Sequence, residues 1–299
     1  MPMGNMDILQ LLLKYNAKIN AVASRSIART SLQAAAGSGN VELVQLLLNY
    51  GADVNAAGST YHGRTALQAA AENGSVEVVQ LLLNYGANVN AAGSKYFGLT
   101  ALQAAAGRDN IRLVQILLNH GADINDYKKD EEGGTALQIA AKNGNTKLVL
   151  LLLKNKADIN AAPTNYRGRT ALQGAVETKD IELVRLLVHN GAHVNAPPCP
   201  DGGATAIQVA AMNGSMEILY LLLNHGGDIN APSATKNGRT ALEGAAEHGR
   251  LGTVQLLLDA GIDICGRDDP QYKSAVQLAY KEGHSAVAKL IESWISNAE

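Results

Sequence analysis

Aromatic side chains are scarce in this sequence: 4% of 299 residues, with one Trp and one Phe. A core of stacked rings is therefore excluded, and any interior must be assembled from Leu, Val, Ile and Ala at close approach, which suits thin layers. Cysteine is nearly absent as well. Cys199 and Cys265 lie far apart and show no CxxC or Cys/His ligand spacing, so neither a disulfide framework nor a zinc site is signalled. The N-terminal stretch lacks a basic leader region, and its short apolar run is broken by Lys14, which argues against a signal peptide. No run approaches the ~20 apolar residues that span a bilayer. A net charge of -2 removes the footprint of a sequence-independent nucleic-acid binder. With 46% hydrophobic and 17% charged residues, a folded protein of the cytoplasm or nucleus is expected, with neither membrane nor nucleic acid as partner.

What the sequence has in abundance is itself. Thr30-Ser31-Leu32-Gln33 returns every 35 residues as TALQ at Thr65, Thr100, Thr135 and Thr170, as TAIQ at Thr205 and as TALE at Thr240; SAVQ follows at Ser274. Gly39, Gly74, Gly144, Gly214, Gly249 and Gly283 come nine residues after these starts. Each period continues through an apolar block such as Val78-Val79-Gln80-Leu81-Leu82-Leu83 and closes on Gly86-Ala87-Asn88-Val89-Asn90.

One period predicts a pair of helices. Thr65 is placed to cap the first with its hydroxyl, and Ala66, Leu67, Ala69, Ala70 and Ala71 make that helix thin enough for close neighbours. Asn73-Gly74 supplies the positive φ that stops it. Ser75 caps the second helix, whose Val76, Val79, Leu82 and Leu83 are expected in a shared core, and Gly86 ends it. A glycine two residues before each Thr (Gly63, Gly98, Gly133, Gly168, Gly203, Gly238) predicts a projecting turn between layers. No single period can bury its own apolar face, so stability must come from stacking.

The recurring pattern G-x-T-A-L-Q-x-A-A-x-x-G-x-x-x-x-V-x-L-L-L-x-x-G-A-D-V-N resembles the ankyrin repeat over residues 4 to 293. The resemblance implies an all-α solenoid of stacked helix-turn-helix units with finger loops: a half repeat at 4–20, units starting near 26, 61, 96, 131, 166, 201 and 236, and a capping unit at 270–295, in a single domain over 1–299. Two departures stand out. The family's T-P-L-H reads T-A-L-Q, which replaces a buried His with Gln33, Gln68, Gln103, Gln138, Gln173, Gln208 and Gln277, and the period exceeds the usual one by two residues, placed in each finger. The TALQ wording is similar to the arrays that trail large fungal NTPase-containing sensor proteins.

The ends differ. Residues 4 to 20 align with 39 to 55, so the sequence opens halfway through a repeat, leaving Met6, Ile8, Leu9 and Leu12 without their partner helix. A longer parent array is one expectation; packing of that face on an upstream domain or a second copy is another. The last unit places Lys281, Glu282, His284, Lys289, Glu292 and Ser293 beside Leu278, Val287, Leu290 and Ile291, with Trp294 following, the composition of a cap.

The family resemblance implies non-catalytic recognition of a protein partner, through the residues around each finger glycine and the pair before the glycine that ends each first helix. Carried over by register, these positions are Tyr61, His62 and Arg64; Tyr96, Phe97 and Leu99; Glu131 and Glu132, with Tyr127 nearby; Tyr166, Arg167 and Arg169; and Lys236, Asn237 and Arg239. The helix positions are Glu72-Asn73, Arg108, Lys142-Asn143, Glu177-Thr178, Met212-Asn213 and Glu247-His248. Fingers two, three and five combine Tyr, Phe or Arg, the residues enriched in binding hot spots. A ligand-sensing or autoinhibitory segment of a larger signalling protein is an alternative, as is an enzyme or small-ligand binder on the concave face.

Chemistry finds little support. His189 and His193 have the spacing of a metal pair, but Gly191 falls between them where every other unit ends its helix. Gly37-Ser38-Gly39 lacks the strand and Lys of a phosphate loop. No enzyme, metal or cofactor is expected. Asn55, Asn125, Asn160 and Asn230 resemble asparagines hydroxylated in some ankyrin repeats; the competing reading has each Asn closing its own hairpin. Lys179 and Asp109 stand where glycine should stop the first helix, and Lys156 where it should follow the second, which predicts weak fourth and fifth layers.

Overall fold

The computed structural model describes residues 11, 14–15, 17–21, 29–59, 63–94, 98–126 and 134–298. Among them are sixteen helices and no strand beyond isolated bridges. The first helices of the repeats are Ser31–Ser38, Ala66–Asn73, Ala101–Gly107, Ala136–Lys142, Ala171–Thr178, Ala206–Asn213 and Ala241–Glu247. Their partners are Val41–Asn49, Val76–Asn84, Ile111–Asn119, Thr146–Lys154, Ile181–His189, Met216–Asn224 and Leu251–Asp259. Pro270–Lys281 and Ser285–Ala298 complete the order. The protein divides into two units, Met1–Asp126 with Lys154–Lys156, and Tyr127–Leu153 with Ala157–Glu299. Met6, Ile8, Leu9 and Leu12, on which the half-repeat expectation rests, lie outside the described residues.

Each first helix opens on a reciprocal cap. The Thr65 hydroxyl accepts from the Gln68 N–H, and the Gln68 carbonyl oxygen accepts from the Thr65 N–H at 2.9 Å. The same box forms at Thr30, Thr100, Thr135, Thr170, Thr205 and Thr240. It satisfies two of the donors a helix start leaves open. Gly74 ends its helix at φ 87°, as predicted.

The Gln amide has a second task. Gln68 Nε2 donates to the carbonyls of Ala91 and Ala92 at 2.8 and 3.1 Å, at the base of the finger that follows. Gln33, Gln138, Gln173 and Gln208 repeat this double bond 23 and 24 residues on, and Gln103 reaches Asp126. All six are buried. Gln277 departs from the expectation: it is exposed. The helix Pro270–Lys281 starts on Asp269 as cap with Pro270 at its first turn, so SAVQ falls in mid-helix and Gln277 is not a cap residue. At Glu243 the carboxylate accepts from the Thr240 N–H but has no proton to donate onward.

A second link is made by asparagine. Asn55 Nδ2 donates to the Gly86 carbonyl at 3.0 Å and its Oδ1 accepts from the Asn88 N–H at 2.7 Å, so the side chain bridges to the next repeat. Asn20, Asn90, Asn160 and Asn195 do the same. This corrects the hairpin reading: at Asn55, Asn90, Asn125, Asn160 and Asn230 the bend is closed by the Asp or Asn two residues before, as Asp53 accepts from the Asn55 N–H.

Beneath these links lies the aliphatic core. Val78, Val79 and Leu82 are fully buried, with Leu113, Val114 and Leu117 in the next repeat. Val76 and Leu83, expected there, are half-buried, because the helical period places the inward stripe on residues three and four apart beginning at Val78. Burying one such side chain is worth about 1.5–3 kcal/mol. At the C-terminal end Val287, Ile291 and Ile295 are buried, while Lys281, Glu282 and Lys289 are exposed and Trp294 is half-buried, the division expected of a cap.

Candidate functional site

The finger glycines were expected to supply turns. Gly63, Gly98, Gly168, Gly203 and Gly238 do not adopt positive φ. A Cβ on Gly63 would instead overlap the backbone of Ser59, and one on Gly168 the backbone of Thr164. Glycine is needed because the two sides of the finger touch at its neck. Gly133 lies outside the described residues, as do Tyr61, His62, Tyr96, Phe97, Tyr127, Glu131 and Glu132.

The three fingers around Gly168, Gly203 and Gly238 are described to their tips. Tyr166 pairs with Asp201, and Asp201 with Lys236, in parallel bridges. The Arg167 N–H donates to the Asp201 carbonyl at 3.2 Å and the Gly202 N–H to that of Lys236 at 3.0 Å. Asn237 Nδ2 adds a bond to the Asp201 carboxylate at 2.9 Å. At the tip Arg167, Gly202 and Asn237, one per repeat, all take the left-handed conformation, Arg167 at φ 47°. The Arg167 guanidinium sits over the Tyr166 ring, 5.3 Å from its centroid, and both side chains are exposed.

Six of the remaining charged positions form three pairs that sequence spacing did not suggest. Arg64 grips Glu72 with both forks, Nη2 at 2.8 Å from Oε1. Arg169 lies 2.6 Å from Glu177, and Arg239 holds Glu247 through Nε and Nη2 at 2.9 and 3.1 Å. In every case the Arg at the finger base meets the Glu eight residues later, inside one repeat. These residues are half-buried and mutually neutralised.

Around the first pair lies a cavity of about 170 Å³, lined by Arg29, Gly37, Arg64, Glu72, Asn73 and Arg108 among others. Arg108 Nε donates to the Glu72 carbonyl at 2.8 Å, and Asn73 Nδ2 to that of Gly37 at 3.1 Å. Leu99 is half-buried and Asn73 exposed. Arg29 was not among the expected site residues, because its finger precedes the first complete period.

The catalytic alternatives gain nothing. His189 ends its helix and Gly191 follows at φ 87°; the His189 ring meets His225 of the next repeat edge-on at 5.9 Å. No group of His, Cys, Asp and Glu that could hold a metal occurs among the described residues. Lys156, Lys179 and Asp109 all adopt the positive φ that glycine would carry, as read from the repeat. No helix among the described residues is long and apolar enough to cross a membrane.

Paired short helices, repeated at a fixed period and joined by necked fingers, define a helical repeat protein. The family description "Ankyrin repeats (3 copies)" matches residues 2–93, 91–163, 125–198 and 197–268, and the chain belongs to the ankyrin-repeat family. A search of curated proteins finds no match to it. Ankyrin repeats are generally protein–protein interaction modules and typically non-catalytic.

Proposed function

We propose that this protein recognises another protein through its fingers and the exposed faces of its first helices, and catalyses nothing itself. One observation carries the reading. The side chains that build the frame are nearly the same in every repeat, whereas the site near the end of each first helix varies: Gly37, Glu72, Gly107, Lys142, Glu177, Met212 and Glu247 occupy it in successive repeats, exposed at Gly107 and Lys142 and half-buried elsewhere. A frame held constant beneath a varied surface suits recognition of one particular partner.

Arg167 is the sharpest instance. Left-handed φ costs a side chain about 1 kcal/mol relative to glycine, and the equivalent residue one repeat on is Gly202. An Arg kept at that cost, exposed and laid over Tyr166, presents a planar donor with an aromatic platform. Tyr166, Arg167, Arg169 and Glu177 supply this surface in the second unit; Tyr61, His62, Arg64, Glu72, Asn73, Tyr96, Phe97, Leu99 and Arg108 in the first, with Tyr127 at the next finger.

Affinity capture from extract of the source organism tests it, comparing the intact protein with a Tyr61→Ala, Phe97→Ala, Arg167→Ala variant that melts at the parent temperature. Proteins retained by the parent and lost by the variant are the expected outcome. Identical capture by both would remove the fingers from the binding surface.

A further inference from the structure

The protein itself shows what an arginine at the finger base binds. Three repeats place Arg at this position and Glu eight residues later, and each pair closes: Arg64 on Glu72, Arg169 on Glu177, Arg239 on Glu247. In the repeat of Ser31–Ser38 the arginine is present, as Arg29, but the residue eight positions on is Gly37. Arg29 is exposed and makes no ion pair or hydrogen bond among the described residues.

The place left by the missing carboxylate is the cavity described above. Its volume of about 170 Å³ equals that of about five or six waters at ~30 Å³ each, room for a carboxylate and the start of its stem. Arg108 faces the same space with Nε on the Glu72 carbonyl, and its other guanidinium donors make no hydrogen bond among the described residues. Among the described residues Glu72 is the only acidic side chain lining the cavity, and Arg64 already holds it. Two guanidinium charges therefore face the cavity uncompensated.

We propose that this cavity receives a carboxylate from the protein partner, which takes the place on Arg29 that Glu72, Glu177 and Glu247 fill within their own repeats. The inference rests on the recognition reading above and adds the chemistry of the ligand. A glutamate or aspartate residue and the free C-terminus of a polypeptide carry the same group, so the assay separates them.

Nitrogen–proton NMR spectra of the full-length protein follow the Arg29 and Arg108 Nε–H signals during titration with three peptides. One is capped at both ends and carries glutamates; the second has Gln for Glu and a free C-terminal carboxylate; the third, capped, has phosphoserine for Glu. Both arginine signals should move with the first peptide if the source is a glutamate, or with the second if it is a terminus. Gly37→Glu restores the internal pair, since a Cβ at Gly37 meets only the Ala69 Cβ at 3.7 Å and its φ is not positive. It should weaken the carboxylate peptide about tenfold, the size of one charge-assisted hydrogen bond, and so should Arg29→Gln. Arg185→Gln, which alters an exposed ion pair to Glu182, should change nothing.

Unshifted signals with both carboxylate peptides, or equal affinity in the Arg29→Gln variant, would overturn the proposal. So would a phosphoserine peptide that binds more than about tenfold tighter, which would assign the cavity to phosphate. A partner identified by capture and still bound at parental affinity by the Gly37→Glu variant would also overturn it, while leaving protein recognition in place.

Discussion

Two neighbouring repeats share an arginine at the finger base and differ in what that arginine meets. At Arg64 and Glu72 the finger is tied to its helix and the charges cancel; at Arg29 and Gly37 the same arginine faces an open cavity. The difference teaches that an arginine can be left open by the absence of one side chain while the Thr–Gln cap beside it stays the same in both repeats. The seventh repeat shows removal of another sort. Glu243 keeps the cap that Gln33 to Gln208 make but lacks their onward donor, and the residue 23 positions on is Gly266, in a segment that leads directly into the Pro270–Lys281 helix. Open ligand positions and frame positions can thus be told apart by what their loss would cost.

The largest effect is expected at the frame. Gln138→Leu leaves the Thr135 N–H and the carbonyls of Ala161 and Ala162 without their partner and should cost about 3 kcal/mol in urea unfolding. Glu243→Gln, by contrast, should change stability by less than about 0.5 kcal/mol. If Gln138→Leu proves as mild, the clamp does not hold the stack. Asn160→Ala removes two bonds to the next repeat at exposed sites and should cost about 1 kcal/mol, with faster amide exchange at His193. Lys179→Gly relieves a left-handed φ of 63° and should stabilise by about 1 kcal/mol; a loss instead would mean that the lysine makes a contact worth more than its strain. Below these comes the tied pair: Arg169→Gln should cost under about 1 kcal/mol, shrinking as salt rises.

The periodic features were legible because they are local. Thr65 before a run of small residues spells a cap, and Gly74 spells a stop, although the return bond from Gln68 to the Thr65 N–H was not read from the sequence. What the sequence left hidden depends on the neighbouring repeat or on close approach. The Gln68 amide finds its acceptors at Ala91 and Ala92, beyond any helical spacing. Asn55 was read as closing its own hairpin because its partners, Gly86 and Asn88, belong to the next period. Arg64 and Glu72 are eight apart across a helix start, so no rule of neighbouring turns pairs them. SAVQ misled for the opposite reason: the letters recur, but Asp269 and Pro270 had already begun the helix.

The asparagine and glutamine links have a consequence for how such a protein can change length. Each Gln reaches 23 or 24 residues forward to the far end of its own period, and each Asn 31 or 33 residues into the following one. Excising one whole period inside a unit therefore gives every one of these side chains an equivalent partner, whereas deleting a single residue between Gln68 and Ala91 shifts both acceptors out of place. The gene is editable in steps of a full repeat and resistant to smaller ones.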